Sequence, residues 1–451
     1  MSETEKADVS HASDEVAQSS LHDPDAHLGE DERLEIERKL VKRLDWILIP
    51  WLCVLYLLAF LDRTNIGNAK IAGLNNDLGL SSSQYNSALT IFFVSYAVFE
   101  PLTNILLKKL RPSIFIPVIM RVGCHAAHIS QAIFFSAAAI SGSFGGALAA
   151  AIEQMAGVGG RPGWSWIFIL EGILTVLFGV ASFWMVHDFP DEAKFLSEDD
   201  RARVIRRLKM DQQASADHEE FEMTFFWQAV KDWKMWLGMA IYMGCDMPLY
   251  AFSLFLPTIV NELGWNTSVV RSQLMTVPPY AVAAVFTVFI GWVADKTQQR
   301  GLCNISVSLI GIVGFSMLIA TESPQVKYAG TFLGALGIYP CISNTITWVA
   351  NNVEGVYKRG VVLGFVIGWG NLNGIVSSNI YIREPRFSEG HGVVLAYMSV
   401  FLCLGSVLMT LLLRVENQKR RQGKRDHWAD NKSEKEIDAL GDRRPDFLYT
   451  L

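Results

Sequence analysis

The chain has 451 residues, 51% hydrophobic and only 19% charged, with a formal net charge of −6 and a mean hydropathy of +0.25. Many uninterrupted apolar runs in such a chain exclude one large soluble core and point to an all-α polytopic membrane protein. The charge sits mostly in the tails and says little about partners. The six cysteines (Cys53, Cys124, Cys245, Cys303, Cys341, Cys403) show no metal or CxxC spacing and read as small apolar packers.

Residues 1–43 are polar, first acidic and then mixed in charge. No apolar core stands near the start, so no cleaved signal peptide is expected, and the segment reads as a disordered tail. Lys39, Lys42 and Arg43 abut the first span, which places this tail in the cytoplasm by the positive-inside rule. From Trp46 to Leu61 the chain is apolar apart from Tyr56, a helix long enough to cross ~30 Å of hydrocarbon. Asp62 and Arg63 then arrive abruptly, where a charge must reach headgroups or a wet protein interior.

A second span, about 87–107, carries Glu100 and Pro101 and ends at Lys108, Lys109 and Arg111. Ile114–Met120 is apolar but too short to cross, and it runs into the unpatterned R-V-G-C-H-A-A-H-I-S-Q. Spans resume at 132–152 and 164–186, the latter with Glu171 inside. The hydrophilic stretch 188–231 contains R-A-R-V-I-R-R-L-K and so is cytoplasmic; Phe225, Phe226, Trp227, Val230 and Trp233 mark an interfacial helix at its end. Six more spans follow, near 235–258, 273–294, 304–320, 329–349, 360–382 and 393–414, before a basic tail. The expected organisation is a tail (1–43), an amino-terminal bundle of four spans and a stub (44–187), a central cytoplasmic loop (188–232), a six-helix bundle (233–415) and a cytoplasmic tail (416–451).

A central loop between two helix groups resembles the major facilitator superfamily, and G-W-V-A-D-K-T-Q-Q-R-G (Gly291–Gly301) resembles its loop signature. The resemblance makes Gly291, Asp295, Lys296 and Arg300 a gating loop. L-D-R-T-N-I-G-N-A, F-P-D-E-A-K-F-L-S, Y-A-F-S-L-F-L-P-T-I and W-V-A-N-N-V-E-G-V-Y-K-R-G look like the fungal anion:cation symporters, the branch of the allantoate, nicotinate and pantothenate permeases. That family implies six plus six helices. Here about four plus six stand, with part of the third and all of the fourth lacking between Met120 and Gln131. Two helices and a loop are about 40–50 residues at ~20 per span, and the unpatterned stretch reads as a read-through or mis-spliced junction.

Asp62 and Arg63 point about 100° apart on a helix, so Arg63 either binds an anion or a carboxylate elsewhere, or snorkels to the interface. In the family D-R-x-N stands at the mouth of the cavity, which implicates Arg63 and Asn65 in substrate binding and Asp62 in coupling. Buried acids are costly and take partners or protons: Glu171, or a helix-end acid near Trp164 and Trp166; Glu100, or a cap beside Pro101; and Asp246, the clearest mid-span acid of the second half, near Pro248. Tyr242, Tyr250, Phe252, Tyr339, Asn344, Trp348, Asn371 and Asn373 could line a pocket or pack helices, with Tyr250, Tyr339, Asn344 and Asn371 the chosen substrate residues. Gly142/Gly146, Gly330/Gly334 and Gly360/Gly364/Gly368, each four apart, suit close helix approach. Asn266 opens a weak glycosylation sequon.

No Walker loop, dinucleotide fingerprint, zinc spacing or nucleophile elbow is present, so neither an ATP-driven pump nor a membrane enzyme is supported. The expectation is a secondary active transporter, proton-coupled, taking a small organic anion across by alternating access. It needs no cofactor, metal or nucleic acid and works as a monomer in the plasma membrane, both termini inside. Arg63 holds the anion, and Glu171 or Asp246 takes the proton. The other reading is a truncated or mis-spliced protein, or a substrate sensor, that binds without transporting.

Overall fold

The computed structural model describes residues 24–25, 27–107, 128–185, 196–211, 223–263, 265, 268–381, 387–430, 437 and 440–451, and among them every regular element is helical. Four long helices come first: α1 (Glu30–Ile71), α2 (Ser82–Leu107), α3 (His128–Glu153) and α4 (Gly163–Met185). Two polar-side helices follow, α5 (Glu198–Asp211) and α6 (Met223–Val230). Then come α7 (Trp233–Asn261), α8 (Val269–Thr297), α9 (Arg300–Ala320), α10 (Pro324–Asn351), α11 (Val356–Leu372, carried on by Gly374–Asn379) and α12 (Ser388–Arg421). Among the described residues nine helices are long and apolar enough to cross a membrane. With 26 residues, α2 has the length of a tenth. Among the described residues, then, four long helices precede the central segment and six follow it, while the stub Ile114–Met120 and the R-V-G-C-H-A-A junction lie outside the described residues.

α1 is 42 residues long, about 63 Å at ~1.5 Å per residue, twice the hydrocarbon thickness. Its polar first third extends beyond the apolar span, so the helix begins inside the segment read as a tail. There Arg203 of α5 donates to Asp25 at 2.7 Å, and Leu40 and Leu44 pack on Leu196 and Val204. This end of the bundle, which also carries α6, is called the loop end below. On α6, Phe225 stacks on Tyr357 and Phe226 lies against Phe365 of α11, while Trp227 stays exposed. That split of faces is what an interfacial helix needs.

α7 is the axis of the carboxyl half, packing on α1, α10, α11 and α12. Its start is capped by Asp232, which accepts from the Lys234 backbone N–H at 3.0 Å. The two halves meet chiefly along α3 and α8. Gly142 sits under the Tyr280 ring, Gly146 faces Thr276 and the Gln273 carbonyl, and Gly291 lies opposite Ala132. A Cβ at Gly146 would run into that carbonyl, so the small residue sets the helix separation. Gly330 and Gly334 likewise receive Gly314 of α9. The third glycine series behaves otherwise. At Gly360, Gly364 and Gly368 a Cβ would meet no described atom within 4 Å, so this face of α11 is open rather than packed.

At the far end the halves are closed. Asn379 donates to Thr90 of α2 at 2.8 Å, Phe93 covers Gly374, and Gly67 of α1 abuts the Leu254 carbonyl of α7.

Candidate functional site

The divergence of Asp62 and Arg63 on α1 organises the middle of the molecule. Arg63 turns to the other half: its guanidinium donates to the Tyr250 hydroxyl of α7 at 2.5 Å. That hydroxyl donates in turn to Oδ1 of Asn371 on α11 at 2.7 Å. The chain Arg63–Tyr250–Asn371 thus crosses from amino to carboxyl half with each hydrogen directed one way. Aromatic faces enclose the cation, with ring centres 5.5 Å away for Phe92 and 5.2 Å for Tyr250. Phe93 meets the Tyr250 ring edge-on at 4.8 Å.

α7 extends this polar line along one face. Asp246, Tyr250 and Ser253 fall at i, i+4 and i+7, the spacing of a single helix stripe. Asp246 is buried and lies with Tyr242 against Gly370, next to Asn371. Only a glycine leaves room there for both side chains. Ser253 is hydrogen-bonded to the Tyr339 hydroxyl of α10 at 3.0 Å, beside Tyr280. Asn65 is buried two residues beyond Arg63, its Oδ1 without a partner among the described residues.

Asp62 turns the other way, into its own half. Thr175 of α4 donates to its carboxylate at 2.9 and 3.2 Å. Glu171 sits one turn before Thr175, 1% exposed, and neither of its oxygens has a hydrogen-bond partner among the described residues. An ionised carboxylate in that position forgoes hydration without a compensating hydrogen bond among the described residues. Thr175 bonds Asp62 alone, and Glu171 stands one helical turn away on α4, so the two acids share one side of the Arg63 chain without a hydrogen bond joining them.

The gating-loop residues form a separate cluster at the loop end. Asp295 pairs with Arg300, which is buried and donates to Oδ1 of Asn344 at 3.0 Å. The Asn344 amide returns a hydrogen bond to the Arg300 carbonyl at 2.8 Å and another to Asn304 at 2.8 Å. Asn344, chosen as a substrate residue for its mid-span position, is therefore engaged with Arg300 and not with Arg63. Lys296 lies over Trp292 at 5.1 Å. The side chain of Glu100, and Asn266, lie outside the described residues. Sequence reasoning passed over Thr175 and Ser253; their offsets of four from Glu171 and three from Tyr250 were the available signal.

Comparison with known proteins places these features. The Major Facilitator Superfamily model matches residues 128–378. A Schizosaccharomyces pombe protein described as an uncharacterized transporter is 31% identical, over 92% of this chain and 93% of its own. That alignment spans 462 columns while using about 415 of the 451 residues, so about 47 columns face no residue here. The high-affinity nicotinic acid transporter of Saccharomyces cerevisiae is 28% identical over 86% of this chain and 80% of its own. In fold, a bacterial homologue of the human lysosomal transporter Spinster superposes with a TM-score of 0.53 at 13% identity, covering 80% of this chain and 95% of that one. Spans, family match and relatives agree: the chain is an integral membrane protein of the major facilitator superfamily, a family of transporters.

Proposed function

We propose that the chain carries a small organic anion across the membrane together with protons, by alternating access. The observation that carries this reading is the Arg63–Tyr250–Asn371 chain. Arg63 is a cation just past the apolar run of α1, enclosed by rings, and one of its N–H groups donates to a neutral phenol. A carboxylate is the stronger acceptor, since charge-assisted bonds are about twice as strong as neutral ones. An anion that takes the guanidinium therefore displaces Tyr250 and breaks the bridge between halves. Substrate binding and release of one half from the other become a single event, which is the coupling alternating access requires.

Glu171, with Asp62 beside it, takes the proton in this reading, and Asp246 is the second candidate, facing Asn371. The nicotinic acid transporter among the relatives supports a small aromatic or aliphatic carboxylate as cargo. The charge distribution supports a cytoplasmic loop end, with the plasma membrane as site and a monomer as working unit.

Uptake of radiolabelled nicotinate, pantothenate and allantoate into proteoliposomes under an imposed pH gradient tests it. Uptake of one of them is expected with the parent chain. Arg63→Ala should abolish it while leaving the protein in the membrane. Unchanged uptake removes Arg63 from the mechanism, and ligand-dependent thermal stabilisation without flux supports the binding-only alternative.

A further inference from the structure

The last described segment does not trail into solvent. Gly441–Leu451 lies against the loop end of the carboxyl half and, apart from the turn bond from the Arg443 N–H to the Leu440 carbonyl, the hydrogen bonds and ion pairs described for it beyond its own length go to residues 232–420. Its anchor is Asp442, 1% exposed. One carboxylate oxygen accepts from Lys234 of α7 at 2.5 Å, and the other from Lys358 of α11 at 2.7 Å. Asp232 closes the figure, 2.7 Å from Lys358 and 3.1 Å from Lys234. Two cations and two anions alternate around a buried square with no net charge.

The rest of the segment is read through its backbone. Asn417 of α12 exchanges two hydrogen bonds with Tyr449, both at 2.8 Å. Asn352, just past α10, does the same with Thr450, at 2.9 and 3.0 Å. Trp348 adds a third bond to the Thr450 carbonyl at 2.9 Å. Leu451 accepts from the Gly301 N–H at the start of α9, beside the gating-loop arginine. Arg420 donates to the Asp442, Arg444 and Phe447 carbonyls and stacks on the Tyr449 ring at 4.3 Å. Two amides reading backbone, three cations reading an acid and carbonyls, and one ring seated between cations amount to a recognition surface. Generic tail packing would not satisfy so many polar groups at once.

We infer that the loop end of the carboxyl half is a peptide-receiving groove, and that Gly441–Leu451 is its occupant, clasping α7, α9, α10, α11 and α12 into one body. The hydrogen bonds and ion pairs described for the clasp hold it to the carboxyl half, so it stiffens one half rather than gating the path between two. Peptide recognition stands independently of transport. Its consequence for the cycle rests on the proposed function: α7 and α11, which carry Tyr250 and Asn371, are joined at their loop ends through Asp442, so the two sides of the binding line stay in register.

The test uses a chain ending at Leu440 and a fluorescent synthetic peptide of residues 441–451. The peptide is expected to bind the shortened chain saturably, an Asp442→Asn peptide about tenfold or more weakly, and neither to bind the full chain, whose groove is filled. Absence of saturable binding, or equal binding of both peptides, overturns the inference. Should the shortened chain not fold, the full chain with Asp442→Asn and Tyr449→Phe is followed by hydrogen exchange. Backbone amides at the starts of α7 and α11 should then exchange about tenfold faster or more, with the α3–α8 seam unchanged. Unaltered exchange at those helix ends overturns it too. A disulfide between Asn352→Cys and Thr450→Cys should form within one chain, and a dimer product would assign the groove to a second copy instead. None of these readouts needs a substrate, so their failure is distinct from failure of the transport reading.

Discussion

The two halves of the molecule treat buried charge in opposite ways. In the carboxyl half Asp442, Lys234, Lys358 and Asp232 are all nearly inaccessible, and each has an oppositely charged partner within 3.1 Å. In the amino half Glu171 is equally inaccessible and has none among the described residues. Packing does not follow that division: the apolar windows of α7 and α10 are 89% and 83% buried, but those of α8, α9, α11 and α12 are 39–44%, against 56% for α3 and 17% for α4. A paired charge holds structure in place, because removing either partner strands the other. An unpaired one costs stability continually and is retained where titration is useful. The comparison sets a fully paired charge cluster in the carboxyl half against the buried Glu171 of the amino half, and the proposed proton role of Glu171 is what the predictions below test.

The largest effect should come from breaking the square. Lys358→Ala leaves Asp442 and Asp232 sharing only Lys234, and loss of one partner from a buried pair costs about 3–5 kcal/mol. Thermal unfolding in detergent should show a clear drop, and a change below ~1 kcal/mol would mean the square is more hydrated than its burial indicates. pH offers a second handle. Burial raises the Asp442 carboxyl, but Lys234 and Lys358 together outweigh this and hold it at about 2, below its ordinary 3.8. A depressed acid contributes stability above its unfolded value and loses it as pH falls through the folded one. The clasp should therefore be indifferent to pH between 5 and 8 and yield only between about 4 and 2, with about 2 kcal/mol at stake. Helix-end exchange that changed between pH 5 and 8 would place another titrating group in control.

Glu171→Gln reverses the sign. Replacing an unbonded carboxylate by a neutral amide of the same shape should leave stability unchanged or raise it by ~1 kcal/mol, since no ion pair is lost. Uptake driven by a pH gradient should fall at least about tenfold, while exchange of substrate across equal pH persists. If gradient-driven uptake survives, Asp246 becomes the coupling acid.

The contrast also explains what was legible in the sequence. The spans were, because bilayer-length apolar runs tolerate few other readings. So was the divergence of Asp62 and Arg63, which follows from helical rotation alone. The partnership of Arg63 with Tyr250 was not: both residues stood out, but 187 positions separate them and only tertiary packing joins them. The partner of Asn344 was not legible either, because a mid-span amide gives no sign of which neighbour it faces; it is hydrogen-bonded to Arg300, at the start of α9. The tail escaped notice for a different reason. Its polar composition suggested solvent, and the signal to the contrary, D-F-L-Y-T-L closing a charged stretch, is too short for any periodicity.

The smallest prediction concerns the closed far end. Asn379 donates to Thr90 across the halves, in an exposed setting. Exposed neutral hydrogen bonds contribute about 0.5–1.5 kcal/mol at most. Asn379→Ala and Thr90→Ala should each barely move the unfolding temperature, and a double-mutant cycle should return a coupling of ~0.5 kcal/mol. Yet the bond exists only while the far end is shut, so its loss falls wholly on one state. A shift of that size changes the balance between closed and open forms by about twofold, since 1.4 kcal/mol is tenfold. Accessibility of a cysteine placed at the neighbouring Phe93, which covers Gly374, should rise by that factor in Asn379→Ala relative to the otherwise unchanged chain, whereas a change confined to stability would put the contact outside the gate.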